Sequence, residues 1–235
     1  MARIRLNIVL HKIVEDQQEI RSRYDTTAEF AYDLVKQLRS VVRGSSIELG
    51  IFLDDGYQSQ SSFALRLARE QSNQIFIPLI TQLIGMDGYI SYKEIEALRQ
   101  EENIILCSHG FSHAALGVYE NDTVLPTLKG GLYRNMPIGH DLVLAEQEIQ
   151  FQLRESWRQL SDLGIQTDVF VYPYGIYSED ILSIVKQAGV YTKAYTCDDG
   201  LEQVGVGSLA IPRLLIDNTL SISKWVKKAE SIVKR

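Results

Sequence analysis

Two short segments of the chain hold side chains whose type and spacing could do chemistry. The first is LDDG, residues 53–56, in which Asp54 and Asp55 are adjacent carboxylates. Such a pair repels unless a cation, a hydrogen bond or a shared proton relieves it. Asp-Gly is also ordinary turn chemistry, so the doublet by itself could be a turn. The second is HGFSH, residues 109–113, where His109 and His113 stand four apart and account for two of the four histidines in the chain. A helical turn starting there would put both imidazoles on one face. Two histidines and a carboxylate make a three-ligand site for a divalent ion, with a fourth position open.

These groups need elements to hold them, and the hydrophobic pattern supplies a regular series. Strand-like runs are read at 4–10, 46–53, 74–80, 103–108, 167–172, 190–196 and 208–216, and helical spacing at 27–39, 62–70, 91–100, 142–163 and 178–189, with a last helix from about Ser221. Ser91 with Glu94 three residues on has the form of a capping box. Strand and helix alternate along all 235 residues without a composition break, which predicts an α/β fold: an irregular (β/α) barrel of about seven parallel strands, a single domain over 1–235. Barrel sites are assembled at the C-terminal ends of strands. His11, Asp54 and Asp55, His109 and the YPYG stretch at 172–175 all fall at such ends. One segment breaks the rhythm. Residues 116–140 are polar with Gly-Gly and two prolines, and are read as a long loop that either covers a substrate or is an idle excursion.

Composition narrows the classes. The chain is 45% hydrophobic and 23% charged, so it is globular, and its apolar runs are strand-sized, which predicts no transmembrane segment. A net charge of −6 without a basic run argues against nucleic acid as a partner. The N-terminal apolar stretch is too short for a signal peptide, and two cysteines, Cys107 and Cys197, are too few for a disulfide framework, so a cytoplasmic address is expected. CDDG at 197–200 repeats the acidic doublet and is read as a turn that could also line a site.

Taken together, LDDG, HGFSH and FVYPYG (170–175) resemble the three motifs of the polysaccharide deacetylase family, the carbohydrate esterases with a NodB-homology domain. The resemblance spans about residues 46–115 and 165–216. It implies that Asp55, His109 and His113 bind one divalent metal ion, zinc being the expected one. It further implies that Asp54 is the general base and that the Tyr174 backbone N–H is an oxyanion donor. Two departures stand out: Val171 occupies the place of an Arg that steers the catalytic carboxylate in many members, and no histidine follows His140 to serve as general acid. Both agree with the circularly permuted poly-N-acetylglucosamine deacetylases, which VLHKIVED (9–16) and the segment after it resemble. In that subgroup the acid lies on the first strand, which makes His11 the candidate, against a merely structural His11 or His140 as the acid. Pro173 and Arg213 are assigned to substrate binding, and Arg213, in IPR, could instead pair with a site carboxylate or form a structural ion pair. The implied activity is metal-dependent removal of an N-acetyl or other short acyl group from an amino sugar or glycan. A barrel that binds metal and glycan without turnover, and a hydrolase of non-sugar amides or formamides, are the alternatives.

Overall fold

Along β1 (Arg3–Leu10), Leu6, Ile8 and Leu10 turn to one side while Arg5, Asn7 and Val9 turn to the other, and all six are buried. A strand covered on both faces belongs inside a sheet with helices outside it. The computed structural model describes residues 3–70, 73–116 and 146–234 and shows such a sheet. After β1 come the short parallel pair β2 (Ile13–Val14) and β3 (Thr26–Thr27), then β4 (Ile47–Leu53), β5 (Gln74–Leu79), β6 (Ile104–Ser108), β7 (Val169–Val171), β8 (Lys193–Tyr195), β9 (Glu202–Val204) and β10 (Leu214–Leu215). The main sheet runs β10-β1-β4-β5-β6-β7-β8 with every neighbouring pair parallel, and β9 adds antiparallel to β1.

The sheet curls. Tyr195 of β8 meets Phe52 of β4 with ring centroids 4.7 Å apart, although three strands separate them along the sheet. Ile211 bridges in parallel to Tyr195, and four residues on, Leu215 pairs with Val9 of β1, so one short segment touches both edges. Pro212, which lacks an N–H, lies between the two contacts. The sequence reading of one strand over 208–216 thus resolves into a bridge and a two-residue strand. Inside the curl Val9, Phe52, Phe76, Cys107, Val171 and Tyr195 form an apolar layer, with Phe52 and Phe76 stacked at 4.3 Å.

Helices cover the outside. Thr27 caps α1 (Ala28–Val42) by accepting from the Phe30 N–H, and the face Ala31, Leu34, Val35, Leu38 packs on the sheet and on α6 (Ile222–Val233). Next come α2 (Ser59–Glu70), which starts three residues earlier than its periodicity implied, and α3 (Tyr92–Leu98), opened by the capping box of Ser91 and Glu94. α4 (Glu146–Asp162) and α5 (Glu179–Ala188) close over β6, β7 and β8. Gly189 at the end of α5 has φ 71°, the left-handed cap that glycine adopts freely. Most of the 116–140 segment, His140 included, lies outside the described residues. No helix among the described residues is long and apolar enough to cross a membrane.

Candidate metal and catalytic site

The apolar interior ends where β1, β4 and β6 run out, and polar side chains take over. Beyond Leu53 the chain turns sharply: Asp55 has φ 78° and Gly56 φ 72°. A Cβ on Gly56 would lie 2.9 Å from a methyl of Leu79, so close approach and conformation both call for glycine there. The non-glycine residues with positive φ among those described are Asp55, His113 and Tyr174. Three side-chain-bearing residues in a conformation costing roughly 1 kcal/mol or more, gathered at one site, are the kind of strain the surrounding structure retains for function.

His109 and His113 come together by a route the sequence did not indicate. Residues 109–113 form no helical turn; Gly110 at φ 80° and His113 at φ 61° fold the segment back, and the two imidazole centroids stand 4.7 Å apart. The loop is braced by Gln152 of α4, whose amide oxygen accepts from the Ser112 N–H at 3.0 Å, and by the His109 N–H donating to the Leu79 carbonyl at 2.9 Å.

Asp55 Oδ1 lies 3.4 Å from His109 Nε2 and 3.3 Å from His113 Nε2. Nδ1 of His109 is 2.9 Å from the Val171 carbonyl, which can only accept, so that nitrogen is the protonated one and the tautomer leaves the Nε2 lone pair to face Asp55. That lone pair points at a buried carboxylate oxygen with no hydrogen-bond partner of its own. Acceptors facing one another out of water need a cation between them. One carboxylate and two imidazoles, with a carbonyl orienting one ring from behind, suit a divalent ion such as zinc. Burial pushes the Asp55 carboxyl up, but at acid pH the neighbouring imidazoles, once protonated, outweigh it and hold the group below the usual carboxylate range. Burial also lowers His113, to about 4, so its ring stays neutral and able to donate a lone pair in ordinary buffers.

Asp54 faces a different environment. It is 2% exposed, and Nη1 of Arg213 donates to both of its oxygens at 2.8 and 3.0 Å. Arg213 has no exposed surface, donates from Nε to the Thr196 carbonyl at 2.8 Å, and lies over the Phe52 ring at 4.7 Å. Its contacts are with the carboxylate and the barrel wall, so of the roles read from the sequence the pairing with a site carboxylate is the one the geometry displays. Asp54 raises the pKa of this guanidinium against the lowering effect of burial. Asp54 Oδ2 is 4.0 Å from His109 Nε2.

His11 lines the same pocket of about 300 Å³ as Asp54, Asp55, His109 and His113. Its Nδ1 is buried without a hydrogen-bond partner, and its ring lies 5.2 Å from Tyr24. It is not one of the three clustered ligands. The Tyr174 ring covers His113 at 4.4 Å, whereas Pro173 is buried, with its ring carbon 3.6 Å from where a Cβ on Gly110 would lie, and does not line the pocket. Sequence reasoning missed Gln60, whose amide donates to the Asp54 and His11 carbonyls at 2.5 and 3.0 Å and ties two strand ends together. It also missed the pocket wall of Tyr24, Tyr57 and Tyr89. The position of Gln60, one turn beyond the acidic doublet, was the only available signal. Of the CDDG stretch, Cys197 lines the pocket, while Asp198 accepts from the Tyr177 hydroxyl and Asp199 pairs with Lys228.

The polysaccharide deacetylase family model matches residues 43–192. No curated protein sequence matches the chain. Among solved structures it is similar to a polysaccharide deacetylase from Bacillus cereus (TM-score 0.70, 14% identity, covering 97% of this chain and 69% of that one). It is similar also to the Streptococcus pyogenes deacetylase PplD in complex with acetate (0.71, 14%, 97% and 99%) and to IcaB from Ammonifex degensii (0.69, 15%, 96% and 97%).

Proposed function

Because the chain belongs to the polysaccharide deacetylase family, we propose that it hydrolyses the N-acetyl group, or another short acyl group, of an amino sugar or glycan, using one divalent ion held by Asp55, His109 and His113. The observation that carries the reading is the buried, unpartnered Asp55 Oδ1 facing two imidazole nitrogens beside a second carboxylate held by arginine. Zinc is the ion we assign, from the mixed nitrogen and oxygen donors. When bound, such an ion supplies Lewis-acid polarisation of an acyl oxygen and lowers the pKa of water.

The chain's own residues do the rest. Asp54, fixed by Arg213, takes the proton of the attacking water. The Tyr174 N–H donates to the developing oxyanion. His11, on the same pocket wall, protonates the departing nitrogen, because an amide nitrogen leaves poorly as an anion. Each proton transfer contributes roughly 10²–10⁴ in rate. The tyrosines Tyr24, Tyr57 and Tyr89 offer ring faces and hydroxyls to a sugar. Free thiols at Cys107 and Cys197 suit a reducing compartment, and on that ground we place the reaction in the cytoplasm.

The test is acetate release from N-acetylglucosamine oligomers. Turnover is expected to vanish with a chelator and return with zinc. Asp54→Asn should keep the ion and the fold while losing about 10²–10⁴ in rate. His11→Gln should slow amide cleavage far more than cleavage of an activated acetate ester, whose leaving group needs no proton. Unchanged turnover in Asp54→Asn would reduce that residue to a turn position, and equal losses on both substrates would remove His11 as the acid.

A further inference from the structure

A second cavity lies at the other end of the barrel. It has a volume of about 1160 Å³ and opens at the N-terminal ends of the strands, behind the apolar layer of Phe52, Phe76 and Tyr195. A barrel interior is ordinarily filled with branched apolar side chains. Here the inward positions of β1 are Arg5 and Asn7, and β4 offers Gly50 where a Cβ would lie 2.2 Å from Asn7 Oδ1 and 2.7 Å from Arg5 Cδ. The backbone thus leaves room for two polar side chains in the barrel. Arg5 is 5% exposed and lines the cavity; its Nη atoms reach Glu48 and Glu202 at 3.2 and 3.3 Å, yet its Nε has no hydrogen-bond partner. An unpartnered buried donor is unfavourable, because nothing replaces the water it has lost.

The rim is positive. Arg3, Arg5, Lys36, Arg39, Arg43 and Lys193 line the cavity against the carboxylates of Glu48, Glu102, Asp168 and Glu202, a local excess of cations in a chain of net charge −6. Glu48 and Glu202 are already taken by Arg3 and Arg5. Lys36, Arg39, Arg43 and Lys193 form no ion pair among the described residues. Arg39 lies in the last turn of α1 and Arg43 caps it, where the helix dipole favours cations, while Lys36 stands further inside the helix. That effect does not account for Lys36 or for Lys193 on β8.

We propose that this mouth is a second binding site, separate from the metal centre, for a small soluble anion bearing phosphate groups. Arg5 closes the floor with its guanidinium committed to Glu48 and Glu202, and Lys36, Arg39, Arg43 and Lys193 hold the ligand's charge at the rim. Several convergent cations favour a multiply charged phosphate over a single carboxylate.

Calorimetric titration with inorganic pyrophosphate at low ionic strength tests the site. The protein should bind one equivalent saturably. Binding should persist in Asp55→Ala, which removes a metal ligand. It should weaken at least tenfold in the triple variant Lys36→Ala/Arg39→Ala/Arg43→Ala and stay unchanged in the control Lys186→Ala/Lys224→Ala/Lys227→Ala. A crystal soaked in tungstate should show density within hydrogen-bond reach of at least two of Lys36, Arg39, Arg43 and Lys193. Absence of saturable binding, loss of binding in Asp55→Ala, or equal weakening in the two triple variants would overturn the proposal. So would association with anionic phospholipid vesicles in place of pyrophosphate binding.

Discussion

Asp54 and Asp55 are neighbours in the chain with opposite surroundings: one carboxylate is satisfied by a guanidinium, the other faces lone pairs. The backbone turn at Asp55 makes this possible by sending the two side chains toward different walls. The Asp54–Arg213 pair is fully buried, so removing one partner leaves a charge that water cannot reach. Arg213→Met is expected to cost roughly 3–5 kcal/mol in denaturant unfolding. The double variant Asp54→Asn/Arg213→Met should recover a large part of that loss, because no unpaired charge remains. Additive losses would show that the two side chains are not coupled. Val171 carries no charge, and the cation that holds Asp54 is Arg213.

The site depends on where strands stop. β1 and β4 pair in register from Ile4 with Ile47 to Leu10 with Leu53, which brings His11 and Asp54 level at one end and Arg5 and Glu48 level at the other. Gln60 at the start of α2 then ties the two upper ends together. Gly50 stands near the middle of this pairing, and its missing side chain is occupied space. Gly50→Ala would force Asn7 and Arg5 aside, and we expect a loss of about 1–3 kcal/mol, read as a lower thermal midpoint. Metal content should be retained, since the clash lies on the side of Phe52 away from Asp55. A midpoint equal to wild type would mean that the polar side chains below Phe52 move at no cost.

Across the whole molecule an apolar layer separates two polar ends, and the partly buried His113 at one of them ties stability to pH. The His113 pKa is lowered by burial to about 4, below its ordinary 6.5. The unfolded chain therefore binds the proton first as pH falls, so this contribution is complete above about 6.5 and is lost toward pH 4, by up to about 3 kcal/mol. Urea midpoints of chelator-treated protein at pH 7 and pH 4 should show the fall, and His113→Ala should flatten much of it. Sequence by itself determined the β-then-α alternation, the parallel sheet and the strand ends at His11, Asp54 and His109, because hydrophobic period and burial are local in the chain. It also marked Asp55, His109 and His113, whose residue types suit a metal. Only the tertiary structure decided that a positive-φ turn, not a helix, joins the two histidines. Closure of the sheet likewise decided that Arg213, 159 positions from Asp54, holds that carboxylate, and that Arg5 and Asn7 sit inside the barrel. These are contacts between residues far apart in the chain, set by how the sheet curls and which edges meet, and no local period encodes that.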